Sequence, residues 1–301
     1  MKKEEIKKII IIVIAVIILV SIILLVKGCD STKSDLKKKG YSKDEINTIV
    51  EKLSESDINK ILNMDYNKNL VSIINEQYYI PDNLERYLTY SNKNENIKDV
   101  ISIVNVGADS DWYTNTKEAN VDEGIKMLVN KFHYLKDDYL PDDIVPISNW
   151  YAYDGHSIKK EVYDKYVSMW KAANEQGLRL LVNSSYRTFE DQQKEYDMSN
   201  DDYASRPGFS EHQTGLALDI VTDDIIGNEF ENTDEFKWLQ ENAHLYGFIL
   251  RYPKGKEHIT GYNYESWHYR YVGKELATKV KESGLTYDEY YAYYCEYKKA
   301  C

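Results

Sequence analysis

An α+β domain on an antiparallel sheet is the fold class this sequence predicts, and three observations lead there. Strand-like apolar runs alternate with amphipathic helical stretches, but without the regular strand–helix–strand rhythm of a parallel sheet. Glycine (14) and proline (5) are sparse, so the chain is neither fibrous nor low-complexity. At 301 residues and 43% hydrophobic, it can bury one good core and still hold a second small domain.

The first element is basic, then apolar. Lys2, Lys3, Lys7 and Lys8 precede residues 9–26, an apolar or small run whose one hydroxyl is Ser21. That length crosses a hydrocarbon core, and the flanking lysines keep the N-terminus in the cytoplasm. The expectation is one N-terminal transmembrane helix with the body of the protein outside. No small-x-small cleavage site follows the run, which weighs against a removed signal peptide. Cys29 after Gly28 is a lipidation alternative, made awkward by Lys27. All three readings, simple secretion included, place the body beyond the membrane.

Residues 30–40 read as a short charged linker. Ser42-Lys43-Asp44-Glu45 is a capping box that opens a helix with Ile46, Ile49, Val50 and Leu53 on one stripe. Ser54 or Ser56 caps a second amphipathic segment through Ile58, Ile61 and Leu62, and Val71, Ile73 and Ile74 continue the apolar content. The stretch from 41 to 95 is therefore expected to be a small helical module of the hairpin kind. Val100-Ile101-Ser102-Ile103-Val104 reads as a strand, and Tyr139 to Pro146 as an extended, proline-punctuated segment. A helix is expected over 159–176 with Gly177 as its stop, followed by a buried strand over Leu178 to Val182.

Leu216 to Val221 alternates as a strand, with Leu218 and Ile220 on the core side and Ala217 and Asp219 on the other. Gly215 lets the backbone turn so that His212 folds back toward Asp219. A histidine and an aspartate seven residues apart are weak evidence alone. Glu265 and His268 change that. They stand three apart, which puts Glu265 before a strand or at a bulge, not beside His268 on one strand face. Two imidazoles and a carboxylate with a second carboxylate near them are the minimum for a hydrolytic zinc site with one coordination position left open. Glu265 would be the general base. Arg187 follows a strand, and Thr188 caps the next helix; an arginine at such a turn is usually a solvated surface group, and the alternative here is that it steadies a developing oxyanion. Trp267 is read as core packing, and His133, His156, His244 and His258 as structural or surface groups.

Ser210-Glu211-His212-Gln213-Thr214-Gly215-Leu216-Ala217-Leu218-Asp219, Glu265-Ser266-Trp267-His268 and Ser185-Tyr186-Arg187-Thr188 closely resemble the zinc D-alanyl-D-alanine carboxypeptidases of the vancomycin-resistance type. That family belongs to the group that also holds lysostaphin-like peptidases and the hedgehog signalling domain. The resemblance covers roughly residues 120–290. It implies His212, Asp219 and His268 as Zn2+ ligands, Glu265 as catalytic base and Arg187 at the scissile carbonyl. Ser210 would help hold the substrate's terminal carboxylate, and Gln193 would line the same pocket. Family members often carry proline where Ser266 stands. The implied substrates are peptidoglycan stem peptides, trimmed of a terminal D-alanine.

The expected organisation is then a basic start and anchor (1–29), a linker (30–40), the helical module (41–95), a zinc peptidase domain with a central antiparallel sheet backed by helices (96–290), and a tail (291–301). Within enzymes, an L,D-carboxypeptidase or a cross-link endopeptidase is the alternative. A wall-binding module that keeps zinc without hydrolysis is a further one, and Glu265 with Arg187 argues against it. A net charge of −12 argues against a nucleic-acid partner. The 28 tyrosines suit sugar-stacking surfaces, but codon usage in an AT-rich genome is the favoured explanation. Cys295 and Cys301, six apart in a continuous helix, would point to different faces, so no structural disulfide is expected unless the end unwinds.

Overall fold

The computed structural model describes Ile14 and residues 31–301, apart from 200, 202, 203 and 224. The expected anchor falls almost wholly outside the described residues, and among those residues no helix is long and apolar enough to cross a membrane. The chain divides into two compact units between Ile101 and Ser102.

The first unit is helical. Residues 31–39, expected as a linker, are helical with Leu36 fully buried. Helix α1 (Lys43–Lys52) begins with the Ser42–Glu45 capping box. Helix α2 (Glu55–Asn63) is capped by Ser54, which settles the choice between the two serines. Helices α3 (Leu70–Asn75) and α4 (Leu84–Ser91) follow, so the module is a cluster of helices, larger than a hairpin. Ile49, Leu70, Ile73, Leu84 and Tyr87 are buried in it. Asn67, also buried, donates to the Leu88 carbonyl at 2.9 Å and so ties the segment before α3 to α4.

The stretch read as a strand at 100–104 lies instead in helix α5 (Ile97–Val106). Val100, Ile101, Ile103 and Val104 are all buried. Their spacing satisfies one helical face as well as a short strand, and a run this short does not discriminate between the two.

The second unit carries two small ribbons and one main sheet. Strands β1 (Lys117–Glu118) and β2 (His133–Tyr134) pair in parallel, and β3 (Ile144–Pro146) with β4 (Ser157–Lys159) antiparallel. Helix α6 (Lys160–Asn174) stops short of Gly177, whose φ of 78° is the left-handed geometry expected at such an end. The main sheet has the order β5–β6–β8–β7, with β5 at Leu181–Ser184, β6 at Ala217–Val221, β7 at Phe248–Leu250 and β8 at His268–Tyr271. Every neighbouring pair in it is antiparallel. Helix α7 (Phe189–Asp197) follows β5, and α8 (Asp234–Asn242) precedes β7.

Leu218, Ile220 and Tyr269 point to one face, where they join Val162, Tyr166 and Met169 of α6 and Trp238 and Leu239 of α8 in the main core. The opposite face therefore carries Asp219 of β6 and His268 and Arg270 of β8. One layer of helices and one sheet, with the chemistry on the face away from that core, is the expected α+β arrangement.

Short helices α9 (Glu257–Thr260), α10 (Lys274–Ser283) and α11 (Tyr287–Tyr290) complete the unit. A π-helical turn over Tyr291–Tyr297 follows α11. Cys295 and Cys301 form a disulfide, which corrects the expectation of none. The reason is that the helix does not continue: after the π-helical turn Lys299 adopts a φ of 53°, and the two Cα atoms come within 4.6 Å.

Candidate active site

His212 reaches the site through a short 3₁₀ turn, Glu211–Thr214. The Ser210 side chain caps it by accepting from the His212 N–H, and Gly215 ends it at φ 67°. That left-handed residue turns the chain directly into β6. Asp219 on β6 stands opposite His268 on β8 in the strand register, so the two side chains leave the same face side by side. Glu265 lies in the turn before β8, its N–H donating to the Tyr252 carbonyl at 3.1 Å. This is the position its three-residue offset from His268 demanded.

The ring nitrogens are sorted by their hydrogen bonds. His212 Nδ1 donates to the Ser185 carbonyl at 2.7 Å, and a carbonyl only accepts, so Nε2 is left bare. His268 Nε2 faces Glu211 Oε2 at 3.4 Å, which leaves its Nδ1 for the site. Asp219 Oδ1 lies 3.5 Å from His212 Nε2 and 3.1 Å from His268 Nδ1. It is buried and makes no hydrogen bond. One donor atom from each of the three residues lies within 4.8 Å of the other two, the group among the described residues able to hold a metal ion. The imidazoles meet edge to face at 4.9 Å, which turns two nitrogens toward one point.

Electrostatics at the site follow from burial and neighbouring charge. Burial, aided by Arg187, pulls His212 down to about 4, so it stands neutral at pH 7, the state a metal ligand needs. Burial alone would raise Asp219, but the two imidazoles outweigh it and hold the carboxyl well below its usual range. Burial pushes Glu265 up to about 7, against the pull of His268. A carboxyl poised near neutrality can take up and return a proton. Its Oε2 lies 3.6 Å from His268 Nδ1, and about a fifth of its side chain is open to solvent.

Arg187 is fixed on a neighbouring wall. Its Nε donates to Gln192 Oε1 and its Nη1 to Ser184 Oγ, both at 2.9 Å, while its backbone N–H reaches the His212 carbonyl. Thr188 caps α7 as expected. Gln193, expected in the pocket, lies instead on the exposed side of α7, bonded to Asp197. Gln192 takes the inner position: it is 1% exposed, orients Arg187 and donates to the Ser205 carbonyl at 2.9 Å. The two glutamines are adjacent on one helix, and only the helix phase, set by tertiary contacts, decides which of them faces in. Ser266 is fully buried and donates to the Gly227 carbonyl at 3.2 Å.

One group was missed by sequence reasoning. Glu211 is fully buried and paired with Arg251 and Arg270, each at 2.8 Å. Burial pushes its carboxyl up, yet the two guanidinium groups override that and hold it far below the usual range. Its partners lie 40 and 59 residues away, so no local spacing signals it. His156, expected to be a structural or surface group, places its Nδ1 3.2 Å from the hydroxyl of Ser185, the residue whose carbonyl holds His212.

This constellation, three metal-capable donors with a carboxyl and a guanidinium beside them on an α+β sheet, defines a metallohydrolase type of site. Comparison with known proteins narrows it. Residues 155–274 match the family model described as VanY, D-alanyl-D-alanine carboxypeptidase. A D-alanyl-D-alanine carboxypeptidase of Enterococcus faecium is 32% identical over 75% of this chain and 75% of its own length. The putative carboxypeptidase YodJ of Bacillus subtilis is 39% identical over 56% of this chain and 67% of its own. Among solved structures, the LdcB LD-carboxypeptidase superposes with a TM-score of 0.56 at 36% identity, covering 60% of this chain and 91% of its own. The D,D-dipeptidase VanXYg, solved with a D-Ala-D-Ala phosphinate analog, gives 0.52 at 30%, covering 57% and 71%. The chain belongs to the D-alanyl-D-alanine carboxypeptidase family.

Proposed function

We propose that this protein is a zinc-dependent D,D-carboxypeptidase that removes the terminal D-alanine from peptidoglycan stem peptides. The observation that carries the assignment is the buried, unbonded Asp219 Oδ1 facing His212 Nε2 and His268 Nδ1. Oxygen and two imidazole nitrogens suit Zn2+, and three protein ligands is the number found where one position is kept for chemistry. His212 Nε2, Asp219 Oδ1 and His268 Nδ1 would hold the ion. When bound, zinc acts as a Lewis acid on a carbonyl and lowers the pKa of water to roughly 7.

The protein's own groups do the rest. Glu265 takes a proton from the attacking water and returns it to the departing amine of D-alanine. Arg187, held rigid by Gln192 and Ser184, donates to the scissile carbonyl oxygen as charge builds there. Ser210 caps the turn that carries His212, and its hydroxyl proton is the donor offered to the substrate's terminal carboxylate. Gln192 replaces Gln193 on this wall and acts through Arg187. The basic start and the apolar run of residues 9–26 support an extracytoplasmic domain on a membrane anchor, where stem peptides are found.

An L,D-carboxypeptidase is the second reading, favoured by the likeness to LdcB. Incubating the purified protein with defined pentapeptide and tetrapeptide stems, with mass spectrometry of the products, separates the two. Loss of one D-alanine from the pentapeptide supports the proposal. Trimming of the tetrapeptide alone would replace it with the second reading.

A further inference from the structure

We propose that Glu211 is a positioning residue for the metal site: its carboxylate holds His268 so that Nδ1, and not Nε2, faces Asp219 and His212. The inference rests on the reading of His268 as a zinc ligand. Glu211 sits on the same 3₁₀ turn as His212, one residue before it. One short turn thus supplies one ligand and the support of another that lies 56 residues further on.

The carboxylate is immobilised from behind. Oε1 accepts from Arg251 Nε and Arg270 Nη1, both at 2.8 Å, which leaves Oε2 for His268 Nε2 at 3.4 Å. Arg270 stands two residues beyond His268 on the same face of β8, and it is moored to the carbonyls of Ile125 and Met127 at 3.1 and 2.7 Å. Arg251 is gripped on its far side by Asp288 of α11, which Asn130 also holds at 2.8 Å. Two carboxylates balance two guanidinium groups, and all four side chains are 0–2% exposed. The tether closes on an imidazole whose other nitrogen faces the three-donor cluster. Supports of this kind fix the tautomer and ring orientation of a ligating histidine.

Glu211→Gln exploits that geometry. The two guanidinium groups claim the amide oxygen and turn its NH2 toward His268 Nε2, where a donor then meets a donor. The zinc dissociation constant, measured by chelator competition, should rise roughly ten- to hundred-fold. In the zinc-loaded wild type, the His268 Nε2–H proton resonance should lie far downfield, as for a donor to a carboxylate, and Glu211→Gln should lose that shift.

Glu211→Asp keeps the negative charge between the arginines but draws it back from the ring. It should weaken zinc with a smaller change in melting temperature, and it decides the matter if Glu211→Gln does not fold. A folded variant with wild-type zinc affinity and an unshifted Nε2–H signal overturns the inference. His268→Ala tests the underlying reading separately: wild-type zinc affinity there removes the ligand assignment itself. Loss of zinc there with unaffected Glu211 variants removes only the role of Glu211.

Discussion

Asp219 and His268 are cross-strand neighbours, and most of the site's chemistry follows from that pairing and from what lies behind it. Glu265 is the group whose removal separates binding from turnover. Glu265→Gln should retain zinc and lose roughly 10²–10⁴ in kcat, the usual worth of a positioned general base; steady-state kinetics beside metal analysis check both halves. Arg187→Ala should cost about 10²–10³, expressed mainly in kcat, because the contact strengthens as the oxyanion forms.

The pH profile has a definite sign. A base must be ionised to accept a proton, and burial holds Glu265 near 7. A divalent cation beside it favours the carboxylate, so the acidic limb of kcat/KM should lie below pH 7, with activity falling as the pH drops through it. That His212, Asp219, Glu265 and His268 come together was legible, because residue type and short spacing point to it. Glu211 was not, since its significance depends on two arginines 40 and 59 residues further along, one just past the end of β7 and one on β8.

At the scale of elements, local signals read well where a side chain caps a helix. Ser42, Ser54 and Thr188 each cap the helix that follows. The alternation from Leu216 onward placed Asp219 on the correct face of β6. Failures came where tertiary contacts decide: 100–104 became helical, and the chain end left the helical path that would have kept Cys295 from Cys301.

Two glycines at element boundaries should respond differently to substitution. At Gly247 (φ 95°) a Cβ would lie 2.5 Å from the Tyr271 ring and 3.1 Å from the Gly273 backbone, beside the start of β7. At Gly215 the nearest atoms are side-chain ones, Ile144 Cδ1 at 2.8 Å and Lys159 Cγ at 3.0 Å, with backbone no closer than 3.5 Å. Gly247→Ala should therefore destabilise by about 1–3 kcal/mol, and by more than Gly215→Ala, as read by chemical denaturation of the two variants.

For the whole molecule, the C-terminal segment is part of the catalytic unit and not an appendage. Asp288 pairs with Arg251 behind Glu211, and Glu296 in the π-helical turn pairs with Lys117 and faces His133. Burial raises Glu296, but His133 and Lys117 outweigh it and bring the group down to about 2. A carboxyl lowered on folding stabilises the fold above its unfolded pKa and loses that contribution as the pH falls through the folded value. The stability difference between wild type and Glu296→Gln should accordingly be full above about pH 4.5 and vanish toward pH 2, in thermal melts across that range. The helical character of the stretch before the split at Ile101 was visible in the patterning. The ion network joining the last strands to the tail was not, because it is written in contacts between residues 37 to 59 positions apart, beyond the reach of any local pattern.

Zinc analysis of the purified protein and its ligand variants tests the central claim most directly. The account predicts one zinc per chain in wild type and in Glu265→Gln, and substoichiometric zinc in His212→Ala, Asp219→Ala and His268→Ala. Release of D-alanine should stop on chelation and return with added zinc. A wild-type protein without zinc, whose activity is indifferent to chelators, would contradict it.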